Sequence, residues 1–168
     1  MLNSKCVFLL AAWLLASTGH AALIASSQTR FMGRITVATC NIVVGDDNQT
    51  INMGEISNAE LDTKGKSSAV PFIINLYGCD TENKTVKLAF DRVGTGASGS
   101  LIAVDGVNGI ALGLLDSNGN PLYFGNKSVG QKINKGDNTL LFSAYIAKTG
   151  PINSGTFSRL LHYTLYYD

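Results

Sequence analysis

Hydrolytic, metal and redox chemistry all need a few reactive side chains at workable spacing, and this chain offers few. It has two histidines, His20 and His162. His162 lies in an alternating run, out of phase with Leu161, Tyr163 and Leu165, so the strand period turns it toward solvent. The carboxylates Asp46, Asp47, Asp91, Asp105 and Asp116 show no pairing that suggests acid–base work. Oxygen-rich stretches at "GDDNQT" and "DSNGN" could hold calcium weakly, but turn formation accounts for them better. The glycine-rich "GTGASGS" lacks the Lys-Ser/Thr of a phosphate loop and reads as a strand connection. No GxSxG, HExxH or dinucleotide fingerprint occurs. Three Asn-x-Ser/Thr sites, at Asn48, Asn83 and Asn126, matter only in a glycosylating host.

The remaining reactive residues are three cysteines. "MLNSKCVFLLAAWLLASTGHA" has a basic start at Lys5, an apolar run from Val7 to Ala16 and small residues before Ala21. This is the layout of a secretory signal peptide over residues 1–21, cleaved after Ala21 or Ala22. A membrane anchor would need a longer apolar run, of roughly 18–20 residues. Removal of this segment takes Cys6 with it. Cys40 and Cys79 are left, and an even count in an exported chain reads as one disulfide. Two cysteines without a CxxC pair and one surviving histidine make a poor metal set, so no metal and no cofactor is expected. The formal charge is +1, and 15% of residues are charged. No basic stripe is visible that would neutralise phosphates, which argues against nucleic-acid binding.

The elements that must position these residues are strands. The chain is 45% hydrophobic with 18 glycines among 168 residues, enough for one domain with a core. Two-residue alternation recurs in short runs. Phe31, Gly33, Ile35 and Val37 share one parity in "RFMGRITVATCNIVV". Phe72, Ile74 and Leu76 alternate in "AVPFIINLYGCD", with Pro71 at the strand's first residue or an edge. "INMGEIS" and "KTVKLAFDRV" are further strand candidates, while "SNAELDTKGKSS" reads as a helical turn or loop. Ile110, Leu112 and Leu114 alternate before the turn "DSNGNP", whose Asn-Gly is a hairpin signal. Leu140, Phe142, Ala144 and Ile146 share one parity in the last strand run before the C-terminal segment. About seven or eight short strands with turns between them predict an all-β sandwich, plausibly immunoglobulin-like. A Cys40–Cys79 bridge would tie two early strands and close about 40 residues, a stabilisation of about 3–4 kcal/mol.

Both ends of the mature chain exceed what such a domain needs. "GTFSRLLHYTLYYD", Gly155 to Asp168, places Phe157, Leu161, Tyr163, Leu165 and Tyr167 on one parity, interrupted by Arg159. A strand there has a core face, yet nothing follows Asp168 to pair with its backbone. The segment "ALIASSQTRFMG" before the first strand has no obvious place in the domain. An extended tail of this kind can add a strand to another sheet's edge.

On these residues the sequence resembles the pilin subunits of chaperone–usher fimbriae, of the type 1 and P pilus kind. The resemblance covers essentially the whole mature chain. It rests on "FMGRITVATC" with its glycine seven residues before a cysteine, on "VPFIINLYGC", on "NGIALGLLDSNGNPL" and on "LLFSAYIAKTGPINSGTF". It rests also on Gly155, fourteenth from the end, and the penultimate Tyr167. The resemblance implies an incomplete immunoglobulin-like sandwich that lacks its last strand, completed by a donor strand from another chain. It implies a donor extension over residues 22–33, with Leu23, Ala25, Ser27, Thr29, Phe31 and Gly33 on one parity, and a pilin domain over 34–168. Ser27 and Thr29 are small and polar, and Asp168 ends the chain where the family has an amide side chain.

The implied partners are a periplasmic chaperone, an outer-membrane usher and neighbouring pilins. Gly155, Phe157, Leu161, Tyr163, Leu165 and Tyr167 would line the chaperone and donor groove. The implied location is a fimbrium on the cell surface, reached through the periplasm. A sugar-binding tip adhesin would carry an extra domain for which there is no room, and any host receptor is not legible. A secreted immunoglobulin-like enzyme such as a copper-dependent dismutase needs more imidazoles than one.

Overall fold

The computed structural model describes Arg30 and residues 39–80, 84–92 and 99–168. The signal-peptide segment, the donor residues Leu23, Ala25, Ser27, Thr29, Phe31 and Gly33, and the alternating run through Val37 lie outside the described residues. The described strands and helices all belong to one unit, Val37–Asp168.

Two antiparallel sheets form this unit. Sheet A has the order β1-β2-β7-β5-β4, from β1 (Asn41–Ile42), β2 (Val70–Cys79), β4 (Leu101–Ala103), β5 (Ile110–Leu115) and β7 (Gly136–Lys148). Sheet B has the order β6-β3-β8, from β3 (Lys84–Phe90), β6 (Gln131–Ile133) and β8 (Tyr163–Tyr167). Alternation sets the faces. In β7, Leu140, Phe142, Ala144 and Ile146 are all at most 4% exposed, and in β3, Val86 and Leu88 are 2% exposed. Phe72 and Phe142 stack at 5.7 Å between centroids, and Phe90 of the other sheet meets Phe142 edge-on at 6.3 Å. These rings join the two sheets across the core, in the offset and edge-to-face geometries aromatics favour.

"SNAELDTKG" folds as a helix, α1 (Asn58–Lys64). Ser57 caps it, its hydroxyl accepting from the Glu60 N–H at 3.1 Å. A Ser followed three residues later by Glu is a helix-start signature, and such a cap contributes about 1 kcal/mol. Leu61 is the one buried residue of the helix. By contrast "INMGEIS" is not a strand: residues 51–57 lie outside both sheets, with Met53 and Ile56 packed on the core. Pro71 sits second in β2, on the part that β1 does not cover, where a missing N–H costs nothing. At "DSNGNP" the Asp116 carboxylate accepts from the Asn118 and Asn120 N–H groups at 2.9 and 2.8 Å. The chain then leaves through a single Leu115–Pro121 bridge rather than a second long strand.

The C-terminal run departs from expectation most. A continuous strand from Gly155 is expected, but β8 starts only at Tyr163. Residues 149–158 instead run along the loop 105–109. The Thr149 N–H donates to the Gly109 carbonyl at 2.8 Å, and Asp105 and Ser158 exchange both backbone bonds at 2.9 and 3.1 Å. This crossing leaves no room for side chains below it. A Cβ on Gly109 (φ 80°) would sit 2.0 Å from the Pro151 oxygen, and one on Gly106 (φ 93°) would sit 2.3 Å from that of Thr156. Gly155 belongs to the same crossing, since its Cβ would lie 3.2 Å from Val107. The chain reaches sheet B only after Leu161.

Candidate functional site: the open edge of the C-terminal strand

Among the described residues, sheet B has one covered edge and one open edge. On the covered side, β6 pairs with Lys84–Val86 of β3, Ser128 bonds Leu88 in both directions, and the Gly125 N–H donates to Phe90. On the other side β8 pairs with β3 from Tyr163–Phe90 to Tyr167–Val86. Asp168 exchanges both backbone bonds with Thr85, and the Asp91 N–H donates to His162. An antiparallel ladder bonds alternate residues. The phase therefore turns the N–H and C=O groups of Tyr163, Leu165 and Tyr167 away from β3. Among the described residues no strand lies beyond them.

The same three residues point their side chains inward. They are only partly buried, as are Phe157 and Leu161, and all five pack against the core. The inward residues of β7 and β3 are closed over completely, so the core is thinner along β8. Sheet A ends on this side at β1, only two residues long. Ile42, Asp47, Leu161, His162 and Tyr163 line a depression of about 170 Å³ between the two edges. Among the described residues the arrangement is a slot with an apolar floor and backbone groups without a strand partner along one rim, the geometry that accepts an added strand.

Three contacts shape the slot. The Tyr163 hydroxyl donates to the Asp46 carbonyl at 2.8 Å, spanning from sheet B to the turn after β1. The Asp46 carboxylate accepts from the Asn75 N–H of β2 at 2.6 Å, which fixes that turn. Burial raises the Tyr163 phenol above its ordinary range, and Asp46 and Asp47 add to this; burial also raises Tyr167. At the far end the Asp168 carboxylate pairs with Lys87. That hydrogen bond and the Lys87 charge hold Asp168 below the usual carboxylate range, helped by Lys127 and Lys84. Asp168 therefore has a structural role, since it extends the β3–β8 ladder by one residue.

The cysteine pair is formed. Cys40 and Cys79 are disulfide-bonded, 39 residues apart in sequence, at 4% and 2% exposure. The bridge joins the residue just before β1 to the last residue of β2 and anchors the rim opposite β8. Arg159, which interrupts the apolar parity, does so without entering the slot. Its guanidinium lies 3.7 Å from the Asp105 carboxylate, beside the Asp105–Ser158 bridge, with 13% of its side chain exposed. His162 is exposed, as its strand phase predicts. Among the described residues no group of His, Cys, Asp and Glu side chains could hold a metal, and no helix is long and apolar enough to cross a membrane. Asp46 and Lys87 carry no sequence signal for their roles: one is half of a turn-like Asp-Asp, the other a lysine in a strand.

A family model described as fimbrial protein matches residues 29–168, which includes every element of this slot. The chain belongs to the fimbrial protein family. It is a structural subunit of a surface fimbria, exported through the periplasm, and its family polymerises with other pilins. It is 34% identical to Fimbria A protein of Serratia marcescens, covering 91% of each chain. It is 32% identical to the major MR/P fimbria protein of Proteus mirabilis, over 92% of this chain and 88% of that one. The fold matches the crystal structure of the P pilus rod subunit PapA with a TM-score of 0.69 and 25% identity, over 78% of this chain and 100% of that one. A subunit from the structure of a chaperone–usher pilus matches with a TM-score of 0.71 and 23% identity, over 86% and 97%.

Proposed function

We propose that this non-catalytic pilin is polymerised by donor-strand exchange and that the edge of β8 is the acceptor. The carrying observation is the coincidence at Tyr163, Leu165 and Tyr167 of a backbone edge with no strand beyond it among the described residues and incompletely covered apolar side chains. A strand laid there would make up to about six main-chain bonds, each contributing roughly 0.5–1.5 kcal/mol net. Fixing that strand's backbone costs about 1–2 kcal/mol per residue, so the bonds alone do not suffice. Burial of the slot's apolar floor supplies the difference, at about 25 cal/mol per Å².

In this reading a periplasmic chaperone fills the slot first, and the usher exchanges it for the 22–33 extension of another subunit. Within that extension Leu23, Ala25, Ser27, Thr29, Phe31 and Gly33 alternate on one parity, as a donor strand requires. Phe157, Leu161, Tyr163, Leu165 and Tyr167 make the acceptor floor, while Gly155 acts one step back by letting the chain cross Val107 closely. The Cys40–Cys79 bridge holds the opposite rim.

Deleting Leu23–Met32 tests the division of labour. The expected result is a subunit still captured by its chaperone but unable to join a preceding subunit. Fibres of normal length from the deleted chain would refute the donor assignment.

A further inference from the structure

The nine lysines are scattered through the sequence, with no basic run, yet the sandwich gathers three of them, Lys87, Lys127 and Lys132, on one face, with Lys84 at its end. In β3, Val86 and Leu88 point into the core, so Thr85 and Lys87 point outward. Lys132 of β6 stands opposite Thr85, and Tyr166 of β8 stands opposite Lys87. The Lys127 ammonium lies 4.0 Å from the Tyr166 ring centroid. Lys84, on the parity of Val86 and opposite Ile133, is exposed at the strand's start rather than on the outer face, and with Lys87 and Lys127 it acts on the Asp168 carboxylate. Three ammonium groups, of Lys84, Lys87 and Lys127, thus act on one carboxylate, and Lys132 stands opposite Thr85, on a chain whose total formal charge is +1. Tyr166, 37% exposed, and the hydroxyls of Thr85 and Thr164 lie among them.

We propose that this outer face of sheet B docks a linear sulfated polysaccharide. The charge complements a polyanion, and the ring and hydroxyls suit a sugar polymer better than ammonium groups alone would. One such patch binds weakly. A fibre repeats it on every subunit, so neighbouring contacts on one long chain become intramolecular and the avidity exceeds any single affinity by about 10²–10⁴. The proposal rests on the chain being a fibre subunit, since it draws its strength from repetition.

The test uses assembled fimbriae on immobilised heparin, with neutral dextran, duplex DNA and anionic lipid vesicles as parallel surfaces. Wild-type fibres are expected to bind heparin well above dextran and at least tenfold better than DNA or vesicles. If three charges are neutralised per patch, the affinity of each contact falls about 20-fold between 50 and 200 mM salt, taking a slope of about −0.7 per charge. Lys127→Glu with Lys132→Glu is expected to lower heparin binding at least tenfold, while Lys64→Glu on α1 leaves it unchanged. Lys127→Gln with Lys132→Gln serves where charge reversal blocks assembly. Lys87 stays intact throughout, because it holds Asp168. Equal binding by wild-type and patch-altered fibres overturns the proposal. So does equal binding to DNA or vesicles, which would assign the patch to another class of partner. Wild-type chains that form no fibres would instead refute the pilin reading.

Discussion

Replacing Leu165 by Asn separates an acceptor slot from an ordinary edge strand. Leu165 faces Leu88 across the β3–β8 ladder and is partly buried, so in a lone subunit an Asn amide there still reaches water. The cost in that state is the lost apolar contact, about 1–2 kcal/mol. Once a donor strand covers the slot, the amide loses its water without gaining a designed partner. That adds about 1–3 kcal/mol. The difference appears as a donor-peptide dissociation constant raised roughly 5- to 150-fold. The assay is refolding of residues 34–168 with increasing amounts of a peptide spanning residues 22–33, followed by denaturant unfolding of the complex. Leu88→Ala is the control. Leu88 is 2% exposed, so its loss destabilises subunit and complex alike, by about 2–5 kcal/mol, and leaves peptide affinity unchanged. If Leu165→Asn weakens peptide binding no more than Leu88→Ala does, no strand covers Leu165 and the slot assignment fails.

Reducing Cys40–Cys79, or replacing both by Ser, should cost about 4 kcal/mol for a 39-residue closure; urea midpoints with and without reductant measure it. Gly109→Ala combines a positive φ with a backbone clash and should cost at least about 2–4 kcal/mol, whereas Ala at Gly119, which meets nothing nearby, should cost about 1 kcal/mol; thermal unfolding of the two variants gives the comparison. Folding raises the phenols of Tyr145, Tyr163 and Tyr167 above the unfolded value of 10.0. The stability linked to their neutral forms is complete below pH 10 and lost as pH rises through their folded values. Tyr163→Phe should flatten part of that alkaline loss in unfolding curves from about pH 9 to 12, and an unchanged slope would remove Tyr163 from the account.

Local patterning determined a good deal. Period-two alternation located β2, β5 and β7, because a strand face turned to the core repeats its large apolar residues every second position. Cysteine count and compartment pointed to the Cys40–Cys79 pair. The scarcity of imidazoles argued against catalysis, and the parity of Tyr163, Leu165 and Tyr167 marked the inward face of the last strand.

Which edge of that strand stays open is a property of three dimensions. Alternation assigns side chains to faces but is silent about which neighbour takes the backbone bonds, and that depends on β3 lying on one side of β8 and nothing described on the other. The break at 149–162 is equally non-local, since the chain follows residues 105–109 only because Gly106 and Gly109 admit its carbonyls. The Tyr163–Asp46 bond joins residues 117 apart in sequence, and Lys87, Lys127 and Lys132 share a face only where β3, β6 and the segment before β6 meet. The faces were legible in the chain because they follow from each strand's own period; the fold decided the edges and clusters, because those depend on which distant segments lie side by side.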